Sequence, residues 1–141
     1  MSGRLPYRSR RKYTHMTGED KAVWDRFIMK FPKAFDSVDY DFRVGEGEQL
    51  QLEFDEKIQR MVTMLSQLRI DAIGWNGEQP TIVEVKPRAV VSALGQIQGY
   101  KILFMRQFPK ISAPLTLMVC EVISLDVQHV FDEMKIPVEV V

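Results

Sequence analysis

The sequence predicts an α/β fold, a mixed central sheet flanked by helices, on three observations. Apolar and polar residues alternate around 38–44, 69–75 and 81–86, the period of half-buried strands. Apolar residues recur at helical spacing around 23–31 and 89–106. The run 115–123 is apolar apart from Thr116 and Glu121, as a central strand covered on both faces must be.

Each element follows from local chemistry. Residues 1–13 carry Arg4, Arg8, Arg10, Arg11 and Lys12 with no acid among them, and read as a basic flexible arm ahead of one domain, 14–141. A solvated terminus and a phosphate-neutralising arm are equal readings of it. In the second, Tyr7 or Tyr13 is available to stack on a base. Thr17 caps the first helix, and Glu19 and Asp20 lie in its first turn, where the helix dipole favours negative charge. Val23, Trp24, Phe27, Ile28 and Phe31 form its apolar stripe, and Pro32 closes it.

Val38, Tyr40, Phe42 and Val44 then alternate with Asp39, Asp41 and Arg43, and Gly45 and Gly47 punctuate the strand's end. Beyond them the signal blurs: Leu50, Leu52 and Phe54 alternate, whereas Ile58, Met61, Val62 and Leu65 have helical spacing. Residues 56–65 are read as helical. Asn76 and Gly77 open a hairpin turn, because both residue types tolerate positive φ. The second hairpin strand, 81–86, is stopped by Pro87. In the helix that follows, Ala93, Ile97, Tyr100 and Phe104 make one stripe. Ser124 caps a short helix whose inward face is Val127, Val130, Phe131 and Met134, and residues 136–141 close the sheet.

Composition narrows the function. The chain has 141 residues, 45% hydrophobic and 27% charged, enough for one domain with a core of its own. Net charge is zero, so contact with nucleic acid must come from a local patch. Lone Cys120 cannot form an intrachain disulfide, which suits a reducing compartment such as the cytoplasm; its expected role is a small buried hydrophobe. No segment approaches the roughly 20 apolar residues of a membrane span, and the basic N-terminus lacks a signal-type apolar region. His15 and His129 lack partners at zinc spacing, and no phosphate-cradling glycine loop or Ser/His/Asp set is present.

What remains is a carboxylate cluster. Ile82, Glu84 and Lys86 share one strand face, and Asp71 lies on the preceding strand of the hairpin. Two acids facing each other across a hairpin repel unless a cation lies between them. Mg²⁺ or Mn²⁺ answers this, taking carboxylate, water and phosphate oxygens. Asp71, Glu84 and the Val85 carbonyl would then hold the ion, and Lys86 would orient water and offset charge on the phosphate. Gln96 and Tyr100 lie four apart on one helix face; Gln96 would position a water or phosphate oxygen. Arg88, just beyond, reads equally as a phosphate contact or a surface residue.

Asp71, the Glu84-Val85-Lys86 triplet and the Gln96/Tyr100 pair, in the order strand, strand, helix, resemble the PD-(D/E)xK nuclease superfamily. The Gln-x-x-x-Tyr element is similar to its RecB-like branch, and the compact layout looks like small phage or mobile-element nucleases. The resemblance spans about residues 17–123. It implies a restriction-endonuclease-like αβββαβ core, here with an extra C-terminal helix and strand, that cleaves nucleic acid backbones with Mg²⁺ or Mn²⁺. It implies metal binding by Asp71 and Glu84, water or phosphate handling by Lys86, and support from Gln96 and Tyr100. Ile70 stands where many members carry proline. Asp20, on the stripe of Trp24 and Phe27, is the best placed of Glu19, Asp20 and Asp25 for the first-helix acid that many members carry. The expected activity is DNA hydrolysis, with the basic arm (Arg8, Arg10, Arg11, Lys12) on the backbone. The alternative is a binding protein that keeps the fold, such as a phage-particle component. Whether the chain pairs with itself or joins a larger complex stays open at this point.

Overall fold

The structure is a computed structural model that describes residues 2–13, 15–16, 18–47, 56–57, 59–60 and 68–141. Thr17 and most of 56–65 lie outside the described residues, as do Leu50, Leu52 and Phe54. The elements are β1 (Leu5–Pro6), α1 (Gly18–Lys30), β2 (Ser37–Val44), β3 (Leu68–Asn76), β4 (Gln79–Ala89), α2 (Val91–Gln107), β5 (Leu115–Ile123), α3 (Leu125–Glu133) and β6 (Val138–Val140). The six strands form one mixed sheet in sequential order. Pairing is antiparallel from β1 to β4 and parallel from β4 to β6, so α2 and α3 serve as the crossovers.

Two layers cover the sheet. On one face α1 packs Val23, Trp24, Phe27 and Ile28 against Val38, Tyr40, Ala72, Val83, Val85 and Val119. On the other, α2 sets Tyr100 and Phe104 against Ile73, Trp75 and Ile82, while Ala93 and Ile97 join Met118, Cys120 and Phe131. All four expected stripe residues of α2 are buried. Among the described residues, no helix is long and apolar enough to cross a membrane.

The N-terminal segment departs from a free arm. Leu5 and Pro6 pair with Val38 and Ser37, and a Cβ on Gly3 would fall 2.4 Å from the Val38 amide nitrogen. Tyr7 and Tyr13 are buried; the Tyr7 hydroxyl donates to the Phe31 carbonyl at 2.7 Å, and that of Tyr13 donates to Asp25. Neither ring is free to stack on a base. The two tyrosines gain more from the core than from solvent, which a charge count cannot reveal.

Strand β2 also differs from simple alternation. Val38 and Tyr40 pack on the α1 face, but Phe42 and Val44 pack on the α2 face. Asp41 lies between them at φ 51°, and this left-handed residue turns the strand over. Asp39, expected on a polar face, is buried. The hairpin turn is Gly77 and Glu78, with Asn76 still paired to Gln79; only Gly77 has positive φ (58°). Gly at the first central position is the II′ pattern, which matches strand twist.

Pro87 does not stop β4, which runs on to Ala89. Strand residues two apart direct their amides to the same side, so Pro87 follows Val85 toward β3. The β3–β4 ladder has ended there, so proline's missing N–H leaves no bond unmade. In α3 the Ser124 hydroxyl caps Val127 as expected, but only Phe131 is buried; Val130 and Met134 are exposed. The closing strand is three residues long, Val138–Val140.

Candidate active site

The site forms where the hairpin opens. The β3–β4 ladder runs from Asn76 opposite Gln79 to Ala72 opposite Val83, and the next pair in register would be Asp71 and Glu84. There the strands part. Asp71 Oδ2 accepts the Val85 amide at 2.9 Å, taking the place of the backbone carbonyl that the ladder no longer supplies. Glu84, 2% exposed, neighbours Met118 on β5 and is walled in by the sheet on that side.

This carboxylate is poorly satisfied. Lys86 Nζ lies 3.7 Å from Glu84 Oε1, too long for a direct hydrogen bond, and Oε2 is buried with no hydrogen-bond partner. Burial pushes the Glu84 carboxyl up to about 9; the charge of Asp71 adds to this and Lys86 opposes it. Asp71 is also raised, first by burial, against the opposing Val85 amide, a hydrogen bond shared with Glu84, and Lys86. The charge of Asp20 pushes both acids further up. Two acids that hold back their charge beside an unfilled oxygen form a site that Lys86, beyond hydrogen-bond reach, does not satisfy.

A cavity of about 330 Å³ opens here, lined among others by Asp71, Glu84, Lys86, Gln96 and Tyr100. Five side chains chosen from sequence thus meet in one place. Gln96 is exposed on α2; Tyr100, one turn on, is 6% exposed, and burial with the two carboxylates holds its phenol well above the ordinary range. Asp20 lies outside the lining, although its charge is felt within it. Arg88 is exposed and also outside the lining. Arg8, Arg10, Arg11 and Lys12 line a separate shallow groove.

Does this set fit a divalent cation? Among the described residues, no group of three or more His, Cys, Asp or Glu side chains is arranged to hold a metal ion. The chain offers two carboxylates, one with a buried unpartnered oxygen. That suits an ion such as Mg²⁺, which uses few protein ligands and keeps water or phosphate for the rest. Sequence reasoning missed the three other polar residues of the lining, His15, Asp41 and Arg69. Only Arg69 had a signal, standing two residues before Asp71 on the same strand; the other two arrive through long-range folding.

A repair endonuclease from Pyrococcus abyssi has a similar structure, with a TM-score of 0.53 over 89% of this chain and 12% sequence identity. The match covers 48% of that endonuclease, so this chain spans about half its length. At such identity the likeness shows the fold: a six-stranded mixed sheet flanked by helices, of endonuclease-like architecture. No protein family and no curated protein matches the sequence.

Proposed function

We propose that the chain is a nuclease that hydrolyses phosphodiester bonds of DNA, with Mg²⁺ or Mn²⁺ held by Asp71 and Glu84. The observation that carries this is the buried Glu84 oxygen without a partner, set against Asp71 where the hairpin opens. A structure has little reason to keep such a pair unless something positive binds it. When bound, the ion would polarise a phosphoryl oxygen and acidify a water. Asp20, on α1 outside the cavity lining, is the candidate for a third acid.

The chain's own groups do the remainder. Lys86, its side chain 40% exposed beside Glu84, orients the attacking water and offsets charge that builds on the phosphate. Gln96 presents an amide at the cavity wall to a water or phosphate oxygen, and Tyr100 fixes the floor of that wall beneath it. This use of the pair is what the RecB-like branch would predict. Arg8, Arg10, Arg11 and Lys12 neutralise phosphates away from the cut, and exposed Arg88, two residues past Lys86 on β4, offers another phosphate contact.

The test is direct. Linear, nicked, single-stranded and branched DNA are incubated with the protein in Mg²⁺ or Mn²⁺, beside Asp71→Asn and Glu84→Gln. Metal-dependent cleavage that both substitutions abolish supports the enzyme. No cleavage of any substrate by the wild type, with DNA binding untouched by the substitutions, would make the chain a binding protein on a nuclease-like fold.

A further inference from the structure

The cavity has a second wall, built from parts distant in sequence. The N-terminal segment turns tightly from Tyr13 to Met16, whose amide donates to the Tyr13 carbonyl at 3.3 Å. His15 stands in that turn with φ 57°, its imidazole at the cavity. Opposite Asp71, between the pairs Tyr40–Ala72 and Phe42–Ile70, Asp41 occupies the left-handed position that turns β2 over. Its side chain is 10% exposed, with Oδ2 3.1 Å from His15 Nε2 and Oδ1 3.7 Å from Arg69 Nε. Arg69 Nη1 lies 3.2 and 3.3 Å from the two ring nitrogens of His15. Near-equal distances place the guanidinium across the imidazole rather than in line with one nitrogen.

We propose that Arg69, clamped between Asp41 and His15, binds the nucleic-acid backbone phosphate next to the one that is cleaved. This rests on the nuclease reading for the identity of the chain it grips. An exposed arginine is ordinarily free to wander, and a lone surface ion pair holds it weakly. Here a nearly buried acid and a histidine, both on left-handed backbone that only some side chains tolerate, fix one arginine at a cavity mouth. The clamp does not consume the arginine. Asp41 stands beyond hydrogen-bond distance, and Nη2 has no protein partner among the described residues. A planar fork held in this way matches a phosphate better than a mobile ammonium would.

Register gives the location. Arg69 precedes Asp71 by two residues on β3, roughly 7 Å along the strand. That is comparable to the separation of successive phosphates on an extended strand. Both side chains line the same cavity, so a phosphate at the Asp71–Glu84 pair would have its neighbour near Arg69. Arg69's charge also reaches Tyr100.

Binding separates this site from the cleavage chemistry. Labelled single- and double-stranded oligonucleotides are titrated into the full chain with chelator present, from 50 to 200 mM salt, for wild type and Arg69→Gln. Removing the cation from one phosphate should weaken binding about threefold to tenfold. It should also shallow the slope of log K against log salt by about 0.7 for a single strand or 0.9 for a duplex. Arg69→Lys should keep the slope and lose part of the affinity. In cleavage assays Arg69→Gln should raise KM with kcat nearly unchanged. An unchanged slope in folded Arg69→Gln overturns the site, as does a wild type that binds neither oligonucleotide. Wild-type binding without cleavage would sink the nuclease reading alone. If Arg69→Gln does not fold, exposed His15→Ala decides: binding about twofold to fivefold weaker supports the clamp, and full affinity overturns it. Displacement of the oligonucleotide by millimolar inorganic phosphate, at matched ionic strength, would assign the site to free phosphate and overturn the proposal.

Discussion

Asp39 and Glu84 are both 2% exposed, two strands apart in one sheet, and the protein treats them in opposite ways. Asp39 Oδ1 accepts from the Arg4 amide at 3.1 Å and from Arg4 Nε at 2.9 Å, while Oδ2 accepts from the Trp75 indole at 3.0 Å. Glu84 has a lysine too far away to hydrogen-bond, a second carboxylate beside it, and an oxygen that meets nothing. Equal burial therefore carries opposite meanings. Asp39 ties β1 and the N-terminal segment to the sheet, and its charge is spent within the fold. Glu84 keeps its proton instead, with an oxygen left over for something positive that the residues around it do not supply.

The largest effect should separate the two acids. Glu84→Gln keeps the shape and removes the ability to take on a negative charge. Cleavage should fall on the order of 10²–10³-fold or more, as when an electrostatic partner of the reacting phosphate is lost. Its thermal midpoint should hold or rise, the usual trade at a site that costs stability. Asp39→Ala should do the reverse. It leaves the Trp75 indole and the Arg4 donors without an acceptor, and should cost about 3 kcal/mol, read from denaturant unfolding. A destabilised Glu84→Gln beside an unaffected Asp39→Ala would break the comparison.

Acid–base linkage sharpens it. Glu84 ionises at 4.5 in an unconstrained chain and at about 9 in the folded protein. Below 4.5 both states are neutral there and the group takes nothing from stability. As pH rises above 4.5 the unfolded chain sheds the proton and the folded one keeps it, so stability declines until the folded carboxyl ionises near 9. Asp71, raised as well, acts in the same direction. The advantage of Glu84→Gln over wild type in metal-free buffer should therefore grow between these two pH values. A constant difference across that range would deny Glu84 its upward shift.

Much of this was legible in sequence, for physical reasons. The stripe of Ala93, Ile97, Tyr100 and Phe104 repeats at one period because a single helix face meets the sheet, so periodicity found it. The apolar run 115–123 did form a strand, but not the central one covered on both faces that its composition implied: it is the last but one in the sheet, and only Met118, Val119 and Cys120, the residues that three-residue β6 pairs with, are buried. Asp71, Glu84 and Lys86 could be brought together on paper because a short turn fixes hairpin register. What escaped depends on contacts distant in sequence or on one residue's backbone. The inversion of β2 hangs on the φ of Asp41, and alternation continues on both sides of it as though nothing had happened. The burial of Asp39 depends on Arg4, 35 residues away, and a basic run gave no hint that Tyr7 and Tyr13 fasten it down.

A middling effect concerns the wall of the cavity. Gln96 is exposed, so Gln96→Ala should leave the thermal midpoint in place while turnover falls tenfold to a hundredfold, the range for groups that orient a site. Tyr100 is part of the core, and Tyr100→Phe keeps its ring. Its loss of turnover should be smaller. Equal losses of turnover and midpoint in Gln96→Ala would mean that the residue serves packing instead.

The smallest effect tests the basic segment, and the structure dictates how. Deleting residues 1–13 would remove β1 and two buried tyrosines, so weakened DNA binding could then reflect nothing more than damage to the fold. Neutralising Arg8, Arg11 and Lys12, all exposed on the groove beside Ser9, leaves those anchors intact. The triple glutamine variant should keep its midpoint. In the salt titration its slope should be shallower by up to about 2.7 on duplex DNA, near 0.9 for each phosphate that is no longer neutralised. Cleavage of short oligonucleotides that fill only the cavity should be nearly unchanged, because these side chains lie outside it. A slope that stays put would confine DNA binding to the open end of the hairpin, leaving the segment with a purely structural task that its charge does not explain.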